Sequence, residues 1–571
     1  MHLPLQALPP RCPCLSSAHI VQISSCACVA ALIPHRSPHR GRRARGPWTI
    51  PGAYCCSCMV TNQTTSVLLV IILIALSSIF ALGVVVADLV SRLPKRRGIH
   101  AFGGDGPFVF PPAFFWGAAT ADHQIERAQN DDWTTFERRA HKESKQERRP
   151  DGNVAPGHIA GVAEIPAEWI EQKTDFDTHY VSDIASCKRM GHNAHRFSIS
   201  WARLFPRAGM AEPDPAGIAF YAGIFDELEK NGLEPFVTLF HFASPQWLWD
   251  TADTNKKKGL ERDDAVESFA VFTRTVVKNF GSRVKYWCTL NEPMVWAYLG
   301  YLDGVFPPGE KRPGGPKAVF DIVAQLLRMH AAAWKEIKSS NVLAQVGIAH
   351  HIRHFIPWRK WWPLDGLAAL LVDQAFVLDF TDAIESGTFK GTLTGRSLTI
   401  PGLAGTQDYV GLNYYGRFYV KTTLSQGLTI VPHDPTEPGE EKSDVGWAID
   451  ETSFTPEVMR FHRRYRKPVY ILENGIADNQ DDDVRRQAFI VRHARGMWQA
   501  IEEGADVRGF FFWSLIDNFE WAEGFAPRFG LLKVDYANDC ARTPRPSAEV
   551  YRQIASANAI PAALWKKFRR R

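Results

Sequence analysis

Beyond residue 58 the sequence has almost no cysteine. Of the ten cysteines in 571 residues, Cys187, Cys288 and Cys540 are the ones that follow that point. This excludes a disulfide scaffold. The other seven are Cys12, Cys14, Cys26, Cys28, Cys55, Cys56 and Cys58. Their CxC pairs lack a histidine set and do not match the usual CxxC spacing of a zinc site. No metal is expected elsewhere, because His192, His195 and the pair His350-His351 have no coherent set of ligating partners. The sequence also lacks internal repeats and any sign of a second globular domain. A strong basic field is missing from the main body too. The chain as a whole is +5, but residues 1–100 hold ten Lys/Arg and one acid, Asp88. That segment is +9, which leaves −4 for residues 101–571. Nucleic-acid binding driven by bulk charge is therefore not expected.

With 45% apolar, 22% charged and 12% aromatic residues, the composition is that of a globular chain rather than a disordered or fibrous one. Residues 46–87 carry no charge, and Val67–Val86 reads VLLVIILIALSSIFALGVVV. About 20 apolar residues suffice to span a bilayer as a helix. A single transmembrane helix over 66–90 is expected, followed by a linker over 91–109. Residues 1–58 lack periodicity and read either as a disordered leader or as upstream sequence outside the true protein, with Met59 an alternative start. Arg92, Lys95, Arg96 and Arg97 after the apolar run place the body on the cytoplasmic side of a single-pass membrane protein by the positive-inside rule. Residues 561–571 read as a basic tail, suited either to an anionic membrane surface or to solvent.

From Phe110 onward, short β-rich runs alternate with amphipathic stretches. The runs are Phe114–Ala119, His195–Ser200, Pro235–Phe240, Val284–Leu290, Gln345–His350, Tyr409–Tyr415, Pro468–Glu473 and Val507–Leu515. The stretches include Ala216–Asn231, Asp263–Phe280, Ala318–Ser339 and Asp483–Gly504. Such alternation predicts a parallel sheet, and eight units predict a closed (β/α)8 TIM barrel over residues 110–560. Its length requires long βα-loops. Chemistry in such barrels sits at the C-terminal strand ends. The polar and aromatic residues there are Gln124, Arg196, His241, Asn291, Glu292, Asn413, Tyr415, Glu473 and Trp513. Carboxylates, amides, an imidazole, an arginine and aromatics together suit a carbohydrate. Glu292 directly follows the fourth run and Glu473 ends the seventh. Glycoside hydrolysis uses two carboxyl groups that flank the scissile bond, and their separation selects retention or inversion.

The segments Thr289-Leu290-Asn291-Glu292-Pro293 and Ile471-Leu472-Glu473-Asn474-Gly475 resemble motifs of glycoside hydrolase family 1, the β-glucosidase family. So do Phe115–Thr120, Arg196–Trp201 and Trp513–Trp521, and the resemblance runs in order from about Pro111 to Ile554. It implies a retaining β-glycosidase that works by double displacement without a cofactor. Glu292 would be the general acid/base and Glu473 the nucleophile. Arg196, Asn413 and Tyr415 would support the nucleophile. Gln124, His241, Asn291, Glu520 and Trp521 would bind the sugar, and Trp513 would form the floor beneath it. A split of the two carboxyl pKa values is expected, raised at Glu292 and lowered at Glu473. Three positions depart from the family pattern. Phe242 stands where the family has Trp, His123 where it has Tyr, and Arg127 where it has Gly. Retention of Glu520-Trp521 argues against a phosphorylated sugar.

Between the fifth and sixth runs lies Phe355-Ile-Pro-Trp-Arg-Lys-Trp-Trp-Pro363, with an apolar stretch after it. Trp beside Arg and Lys is an interfacial pattern. The expected substrate is thus a small-molecule or lipid-linked β-glycoside. Two alternatives share the site: a membrane-associated transglycosylase, and a non-catalytic sugar-binding membrane protein. The presence of both Glu292 and Glu473 disfavours the second.

Overall fold

Apolar runs too short for helices become strands only when each finds two neighbours, and here eight do so in a ring. The computed structural model describes residues 104–146, 166–250 and 257–570, apart from 424, 426, 435 and 438. The strands are β1 (Phe115–Ala119), β2 (Ala194–Ser198), β3 (Glu234–Phe240), β4 (Tyr286–Asn291), β5 (Gln345–Pro357), β6 (Val410–Thr423), β7 (Val469–Asn474) and β8 (Val507–Trp513). Each is parallel to the next. The pairing of β8 with β1, from Gly509 opposite Phe115 to Trp513 opposite Ala119, closes the barrel.

Helices cover the outside. The main ones are α1 (Phe176–Arg189), α2 (Pro215–Lys230), α3 (Ala265–Phe280), α4 (Pro316–Ser340), α5 (Pro363–Val372), α6 (Phe454–Tyr465), α7 (Val484–Glu502), α8 (Pro546–Ala557) and α9 (Ala562–Phe568). Local chemistry sets their ends. Asp214 caps α2 by accepting from the backbone N–H of Ala216 and Gly217, and Pro215 takes the first helical position, where its missing donor costs nothing. α3 buries Phe269, Phe272, Val276 and Phe280 at helical spacing against the sheet.

The barrel interior holds a separate apolar layer. Phe115, Phe236, Tyr286 and Tyr470 pack there, with the Phe236 and Tyr286 rings stacked 4.3 Å apart. This layer plugs the lower barrel and leaves the polar residues above it at the C-terminal end. The strand bounds match expectation within two residues except at β5 and β6. These two run on as a ribbon past the barrel mouth, with His354 opposite Arg417 and Pro357 opposite Val420. The strand Gly427–Val431 adds to it antiparallel, Ile430 facing Val420. The histidines and arginine of His350–His354 resemble loop sequence, and only the partner strand makes them extended.

Both ends of the expected domain need correction. Phe108–Val109, assigned to the linker, pairs with Ala559–Ile560. The basic tail is folded: α9 buries Leu564 and Phe568, Trp565 packs edge-on against Phe108, and Arg570 pairs with Glu451. Amphipathic spacing of Leu564 and Phe568 outweighs the charge between them. The leader 1–58, the apolar span 66–90 and the linker up to residue 103 lie outside the described residues. Among the described residues no helix is long and apolar enough to cross a membrane.

Candidate active site

Glu292 follows β4 directly and adopts a left-handed backbone, φ 41°. Pro293 then starts a short helix, Pro293–Tyr298. The turn costs a non-glycine residue roughly 1 kcal/mol and swings the carboxyl into the barrel mouth. Phe242 and Trp521 share this left-handed conformation, so three residues around the mouth hold backbone strain of the kind that gathers at functional sites. Glu473 sits on β7, opposite Asn413 of β6. Gly475 lets this strand end approach β8, since a Cβ there would lie 1.8 Å from the Trp513 carbonyl oxygen.

One hydrogen-bonded chain joins the two carboxyl groups. Tyr415 donates its hydroxyl to Glu473 Oε2 (2.7 Å), and Arg196 Nη1 donates to Glu473 Oε1 (2.5 Å). Arg196 Nη2 donates to Asn291 Oδ1 (2.7 Å). Asn413 Nδ2 donates both to Asn291 Oδ1 (3.1 Å) and to Glu292 Oε1 (2.7 Å). Asn413 was expected to support Glu473. Its amide reaches Glu292 instead, because its register on β6 leaves it between β5 and β7, and the Glu473 oxygens already have donors.

The expected order of the two pKa values is also reversed. Burial and the charge of Glu292 push Glu473 up to about 7, against the pull of Arg196 and Tyr415. Burial opposes ionisation of Glu292 too. There, His351, the Asn413 hydrogen bond and Arg353 outweigh it and hold the carboxyl below the ordinary carboxylate value. The sequence places Arg196 and Tyr415 on Glu473, and only the fold brings the cation and imidazole of β5 to Glu292.

His351 was weighed only as a metal ligand, and Arg353 was not singled out. His351 Nδ1 lies 2.9 Å from Glu292 Oε1, and Arg353 Nε donates to His351 Nε2 (3.0 Å). Since Nε2 accepts, the imidazole proton belongs on Nδ1, facing Glu292. Arg353 is buried between Trp447 and Phe418, its guanidinium carbon 4.2 and 4.3 Å from the ring centres. Burial lowers its pKa to about 9. A period-two reading of β5 finds both residues, because Ala349 lines the interior and positions 351 and 353 follow at strand spacing.

The sugar-binding candidates gather beside Glu473. Asn291 Nδ2 donates to His241 Nε2 (2.9 Å), which leaves Nδ1 as the protonated, outward donor of a neutral ring. Burial and Arg196 hold the His241 pKa well below its usual value. His241 lies nearly parallel to Trp513 and to Trp521. Gln124 Nε2 donates to the Phe519 carbonyl (2.7 Å) and reaches Glu520 Oε2 (3.4 Å). Gln124 Oε1 and His241 Nδ1 are buried without partners among the described residues. One accepts and one donates, which is what vicinal hydroxyls require. Burial and the charges of Glu473 and Glu292 raise Glu520 to about 8, which favours the protonated form, able to donate as well as accept.

The departures at 123 and 242 build a wall behind this pocket. His123 stacks on Trp521 and contacts Asp131 through Nδ1 (3.1 Å) and Glu137 through Nε2 (2.6 Å). Burial disfavours its charge, yet Asp131 and Glu137 raise its pKa to about 9. Lys173 pairs with Glu137 and lies 3.9 Å from the Phe519 ring centre. Removing one partner of a buried ion pair typically costs about 3–5 kcal/mol. Lys173→Met is therefore expected to lower the thermal unfolding midpoint by several degrees, measured by calorimetry. An unchanged midpoint would mean the cluster adds no stability.

The sequence model of glycosyl hydrolase family 1 matches residues 107–560. The chain belongs to glycosyl hydrolase family 1. It is accordingly a glycoside hydrolase, and its relatives match over nearly their whole length. Beta-glucosidase A of Thermotoga maritima is 31% identical over 491 residues, covering 79% of this hydrolase and 98% of the relative. Beta-glucosidase 12 of Arabidopsis thaliana is 30% identical, with 83% and 96% covered. Among solved structures, the beta-glycosidase from Pyrococcus horikoshii aligns with a TM-score of 0.69 at 33% identity, over 81% of this hydrolase and 98% of that chain. The Thermotoga maritima beta-glucosidase in complex with castanospermine aligns at 0.67 and 30% identity, over 80% and 100%.

Proposed function

We propose that this hydrolase is a retaining β-glycosidase of β-glucosidase type, with Glu473 as nucleophile and Glu292 as acid/base. One asymmetry carries the reading. Both oxygens of Glu473 accept hydrogen bonds, from Arg196 and Tyr415. Glu292 has its donors on Oε1, and its Oε2 takes none from the described residues. Glu473 is held by two donors, and Glu292 keeps one oxygen free to carry the proton that the charges of the substrate-free site place on Glu473. The β-glucosidase names of the relatives support the glycone class.

In the first step a Glu473 oxygen bonds to the anomeric carbon while the bond from that carbon to the leaving oxygen breaks. The Glu292 proton moves from Oε2 to the leaving oxygen. In the second step Glu292 takes a proton from water, whose oxygen displaces Glu473 from the anomeric carbon. Two inversions give net retention. His351 and Asn413 serve both steps by holding Oε1, so that proton exchange is confined to Oε2. Asn291, His241, Gln124 and Glu520 hold the hydroxyls, and Trp513 lies under the ring.

Proton NMR of the first product from an aryl β-glucoside tests the reading. The β-anomer should appear first and mutarotate later; initial α-anomer would overturn it. The pH profile offers a second check. The active form of the Glu292–Glu473 pair holds one proton, so kcat/KM should be bell-shaped. Its acid limb should lie below the ordinary carboxylate value and its alkaline limb near 7. His351→Asn removes a group that favours ionised Glu292. The acid limb should then rise by on the order of one pH unit; an unmoved limb would remove His351 from this role.

A further inference from the structure

The outer surface of the β5–β6 ribbon is unusually apolar. Among the described residues ten large hydrophobic side chains are classed as exposed, and five of them lie here: Trp361, Leu364, Leu371, Leu428 and Ile430. They form one surface. α5 turns Ala368, Ala369 and Val372 onto Val420 of β6 and shows Leu364 and Leu371 to the outside. Residues opposite each other in an antiparallel pair share a face. Ile430 is opposite Val420 and Leu428 is opposite Thr422, so both flank α5 on the face it covers. Trp362 Nε1 donates to Thr422 Oγ1 on this face as well.

Charge sits around this surface and not on it. The acid of α5, Asp365, is buried and clamps Arg359 at 2.8 Å. Lys360, next to Trp361, is exposed, 3.8 Å from Glu437. Tryptophan flanked by basic side chains at the start of a leucine-faced helix fits the boundary between headgroups and acyl chains. Contiguous exposed apolar side chains of this kind mark interaction sites. The chain also carries, outside the described residues, the uncharged run Val67–Val86 and the basic residues after it, so a bilayer is the apolar phase the sequence itself brings near.

The patch connects to the proposed chemistry. Phe355 lies under α5, and Phe376, just after it, packs against Phe355 and against His351, which touches Glu292. Phe355, Phe376 and His351 thus link the underside of α5 to Glu292.

We propose that α5 and the strand beside it dock on the anionic surface of a phospholipid bilayer, which brings glycosides with a hydrophobic aglycone to Glu292. This deepens the proposed function and rests on its assignment of Glu292. The test uses residues 98–571, since complete relatives match the barrel alone. The fragment is sedimented with vesicles of phosphatidylcholine containing 30% phosphatidylserine, and with phosphatidylcholine alone. It should pellet with the anionic vesicles, and Trp361→Ala/Leu371→Ser should weaken this by at least tenfold. Turnover of a β-glucoside on a long-chain lipid in those vesicles should fall with it. Both side chains are exposed, so turnover of a soluble aryl β-glucoside should stay unchanged, which also verifies folding. No binding, or binding unaffected by the double variant, overturns the proposal. A dimer in sedimentation velocity that the same variant dissolves assigns the patch to a second copy and overturns it too. Vesicle binding as expected without turnover of any soluble glucoside counts against the active-site reading, not against the surface.

Discussion

Glu473→Gln should lower kcat on aryl β-glucosides by at least about 10^4-fold, equivalent to about 5.5 kcal/mol of barrier. Glutamine keeps the side-chain shape and one acceptor, so Tyr415 or Arg196 retains a partner. What it removes is the charge that bonds to the anomeric carbon. Arg196 is then a buried cation with a weakened partner, and some loss of stability should accompany the loss of rate. Thermal unfolding beside the kinetics separates the two effects. Glu473→Gly with added azide sharpens the experiment. A small anion in the vacated space should attack from the same face and, with no covalent intermediate, yield the α-glycosyl azide from an α-glycosyl fluoride's β counterpart or an activated β-glucoside. Residual activity within tenfold of the wild type would remove Glu473 from the nucleophile's role.

Glu292→Ala should show an effect that depends on the leaving group. With an unactivated alkyl β-glucoside, kcat/KM should fall by about 10^3–10^4-fold, the upper range for losing a general acid. With a dinitrophenyl β-glucoside it should fall less than tenfold, because that leaving group departs without a proton. Deglycosylation still lacks its base, so a burst should appear and the glycosyl-enzyme on Glu473 should accumulate. Azide should relieve the block and give the β-glycosyl azide, the stereochemical opposite of the Glu473→Gly product. Equal losses on both substrates would mean that Glu292 organises the site without transferring a proton. His351→Asn should follow the Glu292 pattern at smaller size, because His351 acts through the Glu292 carboxyl.

The strand ends were legible because each is a short apolar run closed by a polar residue, as in Thr289–Glu292 and Ile471–Glu473. The eightfold alternation was enough to predict a closed barrel. The partner of Asn413 was not legible, since β6 offers its amide to both neighbours and only the occupancy of the Glu473 oxygens decides between them. His351 and Arg353 were hidden for a different reason. They occupy a segment that is extended only because β5 and β6 continue together beyond the barrel. The C-terminal helix was misread through its charge, although Leu564 and Phe568 are spaced to share one face.

The sequence by itself determined the order of the strands, the strand-end placement of Glu292 and Glu473, and the family, because these depend on local periodicity and on residues next to each other in the chain. The tertiary structure decided which oxygen of Glu292 is free, which ring nitrogens of His241 and His351 carry protons, and which carboxyl is pushed up in pKa. Those properties depend on donors and charges contributed by different strands, such as Arg196 from β2, Asn413 from β6 and His351 from β5. Their distances are set only when the ring of eight strands closes.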